Sequence, residues 1–84
     1  MNVMVVDDHF VVRSGLVASL ELEDGLSVVA ETESGEQAIA TYGETRPDVV
    51  LLDLQLPGWN GIETTERLLE ADPGAKILIF STFA

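Results

Sequence analysis

Four short apolar runs recur along the chain, at residues 3–6, 26–30, 49–52 and 77–80. Three of them are nearly unbroken in Val, Ile and Leu, the pattern of strands buried on both faces. The stretches between them read as helices. Over residues 10–22, Val12, Leu16 and Leu20 fall four apart and form one apolar stripe. Asp8 is placed to cap its start and Gly25 to stop it. Ser34 followed by Gln37 forms a capping box for a second helix, with Ala38, Ile39 and Tyr42 inward. Pro47 predicts an extended Arg46, so this helix ends near Thr45. Asn60 with Glu63 opens a third helix with Ile62, Leu68 and Leu69 inward, and Asp72, Pro73 and Gly74 close it. The order β-α-β-α-β-α-β predicts an α/β fold with a parallel sheet and right-handed crossovers.

With 84 residues the chain is one domain at most. A hydrophobic content of 46% excludes disorder. Fifteen Asp and Glu against four Lys and Arg give a formal net charge of −11. Such a chain repels phosphate backbones and anionic bilayers, so it is expected to bind neither nucleic acid nor membrane by itself. No apolar run approaches the roughly 20 residues that span a bilayer. The first residues lack the basic region of a signal peptide. The absence of Cys excludes disulfides, thiolate metal sites and cysteine nucleophiles. These features together predict a cytoplasmic location.

In an open parallel sheet, ligands bind beyond the carboxyl ends of the strands. The first strand ends in Asp7 and Asp8, the third in Asp53, and the fourth in Ser81 and Thr82. Three carboxylates in one crevice repel one another unless a cation sits among them. A hard oxygen donor set suits Mg²⁺. A neighbouring hydroxyl then suits an anionic group placed on Asp53. Plainer readings exist for each residue alone. Asp8 is equally a helix cap, Asp53 a strand-terminal turn former, and Ser81 or Thr82 an ordinary polar end. Asp53 lies between Leu52 and Leu54, where a carboxylate without a partner is costly.

Val5-Val6-Asp7-Asp8-His9 followed by Val11-Val12-Arg13-Ser14-Gly15-Leu16 resembles the opening of response-regulator receiver domains of the NarL/FixJ type. Residues 47–61, from Pro47 through Asp53 to Gly61, resemble the phosphoacceptor strand and the loop after it. Residues 77–81 resemble the fourth strand with its switch hydroxyl. The resemblance implies a flavodoxin-like (CheY-like) doubly wound sheet of order 2-1-3-4, lacking the fifth strand and the last two helices. It implies that Asp53 accepts a phosphoryl group from a sensor histidine kinase. It implies Mg²⁺ on Asp8, Asp53 and the backbone carbonyl of Gln55, with Asp7 acting largely through water. Ser81 matches the switch hydroxyl, with Thr82 adjacent. His9 matches a position common in the subfamily, and a turn or helix-start role is expected of it. The Pro57-Gly58 turn and Gly61 let the loop bend tightly over the site. The module modifies itself and is not expected to be an enzyme.

Complete receivers also carry a Lys at the end of the fifth strand. Here Lys76 is the one Lys, and it starts the fourth strand, at the opposite end of the sheet. The chain thus resembles the N-terminal two-thirds of a receiver, residues 1–84, and DNA is expected to be reached only through a missing C-terminal domain. Residues 77–80, apolar on both faces, are expected to form an exposed edge through which the chain self-associates. A competing reading is a non-signalling fragment that folds only by such association. An aspartyl-phosphate phosphohydrolase is a further alternative. It is disfavoured because Gln55 stands where those enzymes need a second carboxylate. Nucleotide binding is disfavoured because no glycine-rich loop follows the first strand.

Overall fold

The computed structural model describes residues 1–81. The elements run β1 (Asn2–Val6), α1 (Phe10–Glu21), β2 (Ser27–Thr32), α2 (Gly35–Thr45), β3 (Val49–Asp53), α3 (Gly61–Ala71) and β4 (Ile77–Phe80). All strand pairs are parallel, in the order β2-β1-β3-β4. The alternation of apolar runs and helical stretches therefore produces the expected doubly wound sheet. β1 and β3 form the interior pair, with Val3 opposite Val49 and Val6 opposite Leu52.

Alternate residues of the central strands face opposite layers. Met4, Val6, Val50 and Leu52 pack with Ala38 and Tyr42 of α2, Leu68 of α3 and Leu56 in one core. The caps that open α2 and α3 are present. Ser34 Oγ accepts from the Gln37 N–H at 3.2 Å, and Asn60 Oδ1 accepts from the Glu63 N–H at 2.9 Å. The Gln37 side chain returns to the Glu33 N–H, one residue before the cap.

Several expectations change. Asp8 does not cap α1: the N-cap is His9, whose side chain makes no capping bond. Helix α1 ends at Glu21, ahead of Gly25, which takes a positive φ of 86° in the turn to β2. Its predicted stripe is only partly covered. Leu16 and Leu20 are half-buried, Val12 is exposed, and the buried residue of α1 is Arg13. One helix packed on β1 and β2 is narrower than a four-stranded sheet, so this layer closes incompletely. Arg46 is left-handed, at φ 48°, instead of extended, and its N–H bonds the Tyr42 carbonyl as a C-terminal cap.

Helix α3 is turned relative to its expected face. Leu68 is buried as expected, but Ile62 is 58% exposed and Leu69 is also exposed, and Gly61 and Thr64 are buried in their place. Small residues cause the rotation by permitting close approach. A Cβ on Gly61 would lie 2.6 Å from Leu54 Cα, and one on Gly35 would lie 2.1 Å from Thr64 Oγ1. Helix α3 thus presses its glycine against the end of β3 and its threonine against α2.

Candidate functional site

β1 and β3 are adjacent, so their final residues share one crevice at the carboxyl end of the sheet. Asp7 and Asp53 are completely buried there, and Asp8 is partly exposed. Donor atoms of Asp7, Asp8, His9 and Asp53 all lie within 4.8 Å of one another. The strand ends therefore bring together the three carboxylates singled out from the sequence.

His9 completes the group. Its Nδ1 lies 2.9 Å from Asp7 Oδ1, 3.3 Å from Asp8 Oδ1 and 3.4 Å from Asp53 Oδ2. The ring is half exposed, but its nitrogen sits where the three carboxylates converge. The hydrogen bond to Asp7 and the nearby Asp8 charge hold its pKa above the usual imidazole value. The expected turn or helix-start role accounts for His9's place in the chain and not for its side chain. The sequence alone does not place the ring, because nothing in the spacing fixes which way it points. The signal was present as a histidine directly following two clustered acids.

Backbone and side-chain bonds hold the carboxylates in place. The Gln55 N–H donates to Asp53 Oδ1 at 3.0 Å. The His9 N–H donates to Asp7 Oδ1 at 2.8 Å, the same oxygen that faces the ring. Asp7 Oδ2 is buried and has no hydrogen-bond partner among the described residues. A buried carboxylate oxygen without a donor is costly, and a cation satisfies it directly. Hard oxygens from three carboxylates, two of them buried, fit Mg²⁺.

Arg13, within the α1 motif, has no role that the sequence alone indicates. Its Nη1 donates to the Asp7 carbonyl at 2.6 Å, and its Nε reaches Glu31 Oε1 at 3.3 Å. Buried on α1, it ties the end of β1 to β2. Gln55 itself is exposed in the loop after β3. Ser81 follows Phe80, the residue paired with Asp53, so its position is at the same end of the sheet. Thr82 lies outside the described residues. Lys76 precedes Ile77, which pairs with Val50, so it lies at the other end of the sheet from Asp53.

Comparison with known proteins agrees with this architecture. The family model of the response regulator receiver domain matches residues 3–84. The response regulator GacA of Pseudomonas viridiflava is 44% identical over 78 residues, covering 93% of this chain and 36% of that protein. A crystal structure of a LuxR-family two-component response regulator from Aurantimonas superposes with a TM-score of 0.94 at 43% identity. That match covers 99% of this chain and 59% of the other. The CheX–CheY–BeF3–Mg²⁺ complex from Borrelia burgdorferi matches with a TM-score of 0.89 at 26% identity, over 99% of this chain and 63% of that one. The chain spans little more than a third of the length of the curated relatives it matches.

Proposed function

The chain belongs to the response regulator receiver family, and from that premise we propose that Asp53 accepts a phosphoryl group in a divalent-ion-dependent reaction. One observation carries the reading. Two completely buried carboxylates at the ends of adjacent strands, Asp7 and Asp53, meet Asp8 in one crevice, and one buried oxygen has no donor among the described residues. The partner is a sensor histidine kinase. The Asp53 carboxylate attacks the phosphorus of a phosphohistidine, the P–N bond breaks, and the departing imidazole takes up a proton.

Asp8, Asp53 and the Gln55 carbonyl would hold the Mg²⁺, with Asp7 beside them and acting largely through water. When bound, the ion neutralises charge on the phosphoryl oxygens and aligns the transfer. The chain's own groups do the positioning. The Gln55 N–H fixes the Asp53 carboxylate, and Arg13 fixes the Asp7 backbone. Ser81, with Thr82 adjacent, supplies the hydroxyl that meets the phosphoryl group once formed. The module is not an enzyme, since it acts on itself. It works in the cytoplasm as the N-terminal part of a receiver in a longer regulator that reaches DNA through an output domain.

Treatment with a small-molecule phosphodonor and Mg²⁺, read by intact mass and peptide mapping, tests the assignment. The expected product carries one phosphoryl group, on Asp53, and none without the metal. Modification at another residue, or equal labelling without metal, would overturn it.

We also propose self-association through β4. It is an edge strand among the described residues, with Leu78 60% and Ile79 41% exposed. An apolar edge with unpaired backbone groups is a template for a second chain. Sedimentation should show a concentration-dependent dimer. A monomer at high micromolar concentration with concentration-independent unfolding would remove this proposal.

A further inference from the structure

The N-cap of a helix usually spends its side chain on the helix's own amides. His9 does not: it takes the N-cap backbone conformation without a side-chain capping bond, and its ring turns into the carboxylate cluster. The distances from Nδ1 to the three carboxylate oxygens are 2.9, 3.3 and 3.4 Å. Metal–ligand bonds near 2.1 Å give donor–donor edges of about 3.0 Å in an octahedron and about 3.4 Å in a tetrahedron. The nitrogen therefore sits at the spacing of a coordinating atom among the oxygens. The second observation is the buried Asp7 Oδ2, which lacks a donor among the described residues.

We propose that His9 is a metal ligand through Nδ1, making this crevice an O₃N site that takes first-row transition ions such as Ni²⁺ or Co²⁺ in preference to Mg²⁺. The inference rests on the divalent site proposed above and adds the identity of its fourth donor. The physical basis is donor chemistry. Mg²⁺ favours oxygen and holds its water, whereas Ni²⁺ and Co²⁺ gain from an imidazole. On coordination the Nδ1 proton passes to solvent, Nε2 carries the ring's remaining proton, and the Nδ1 lone pair takes the place of the hydrogen bond to Asp7. The half-exposed ring gives the ion a route in from the surface.

The test is calorimetric titration of the 84-residue chain with Ni²⁺, Co²⁺ and Mg²⁺, repeated on His9→Ala and on Asp53→Asn. Circular dichroism checks that each variant is folded. Ni²⁺ affinity should exceed that of Mg²⁺ in the natural chain. His9→Ala should lower Ni²⁺ and Co²⁺ affinity by at least the roughly 10–100-fold that even outer-shell partners are worth. Mg²⁺ affinity should change far less. Proton NMR of the Co²⁺-loaded chain should show a hyperfine-shifted imidazole N–H that His9→Ala removes. Unchanged or tighter Ni²⁺ binding in His9→Ala would overturn the proposal, as would an equal loss for Mg²⁺ and Ni²⁺. Failure of the underlying metal site has a different signature, namely Mg²⁺ binding that survives Asp53→Asn.

Discussion

The two ends of the sheet treat their carboxylates in opposite ways. At the amino end two carboxylates, Asp48 and Asp72, are matched to donors. Asp48 accepts from the Asn2 N–H at 2.6 Å. Asp72 accepts from the Tyr42 hydroxyl at 2.6 Å and from the Gly74 N–H at 3.0 Å. At the carboxyl end, Asp7, Asp8 and Asp53 crowd one imidazole, and a buried oxygen of Asp7 has no partner among the described residues. These two carboxylates are satisfied as folded. The carboxyl end is electrostatically under-compensated and gains from an added cation. Carboxylates that face donors are stabilised in their charged form, and carboxylates that face each other are not.

The largest test of this contrast is phosphorylation itself. Asp53→Asn should abolish phosphoryl uptake by intact mass, whereas Asp72→Asn should leave the site of labelling unchanged. Stability gives the next test. Mg²⁺ at about 100 times its Kd should raise unfolding free energy by about 2.7 kcal/mol in chemical denaturation. Asp7→Asn should raise metal-free stability by about 1 kcal/mol, since it removes one of the clustered charges, and should remove most of the Mg²⁺ response. A stabilisation by Mg²⁺ that is undiminished in Asp7→Asn would erase the distinction between the two ends.

Glycines sharpen the comparison at smaller magnitude. At Gly61 an added methyl meets backbone, so Gly61→Ala should cost roughly 1–3 kcal/mol. At Gly74 the nearest atom is Asp72 Oδ1 at 3.4 Å, so Gly74→Ala should stay within about 0.5 kcal/mol. Urea midpoints compare the two directly.

The smallest effect is a pH dependence at the amino end. The Tyr42 hydroxyl, then the Gly74 N–H, hold the Asp72 carboxyl below its ordinary range. Its stabilisation is complete above the unfolded carboxyl value and is lost as pH falls through the lowered folded value. The hydrogen bond to Asp72, then burial, push the Tyr42 phenol up. That contribution is complete below the unfolded phenol value and is lost as pH rises through the raised one. Tyr42→Phe should flatten both limbs of the stability–pH curve and leave metal binding untouched.

The strands and the acidic cluster were legible in the sequence because each rests on a local signal. Unbroken Val, Ile and Leu runs mark the interior strands, and their parallel order delivers Asp7, Asp8 and Asp53 to one end. The face of α3 was legible only at Leu68. Periodicity weighs large apolar residues and pointed to Ile62 and Leu69. The packing is set instead by what the smallest residues allow, at Gly61 and Thr64. Arg13 and His9 were obscured for a related reason. A buried arginine is justified by the Asp7 carbonyl, and the aim of an imidazole by carboxylates from two strands. Neither partner set is visible before the sheet is assembled. Arg46 shows the remaining kind of gap. The residue before a proline avoids the right-handed helical region, and a left-handed cap satisfies that as well as an extended residue does.

The strand order carries a kinetic consequence. β1 is interior, yet its partner β3 follows only after α1, β2 and α2 have been made. Pairing β1 with β3 closes a long loop, a slow step for any chain. That same closure brings Asp7 and Asp8 against Asp53, so their repulsion is met as this pairing forms. A divalent ion should therefore speed refolding as well as slow unfolding. In chevron plots, Mg²⁺ should lift the folding arm for the natural chain and leave it in place for Asp53→Asn.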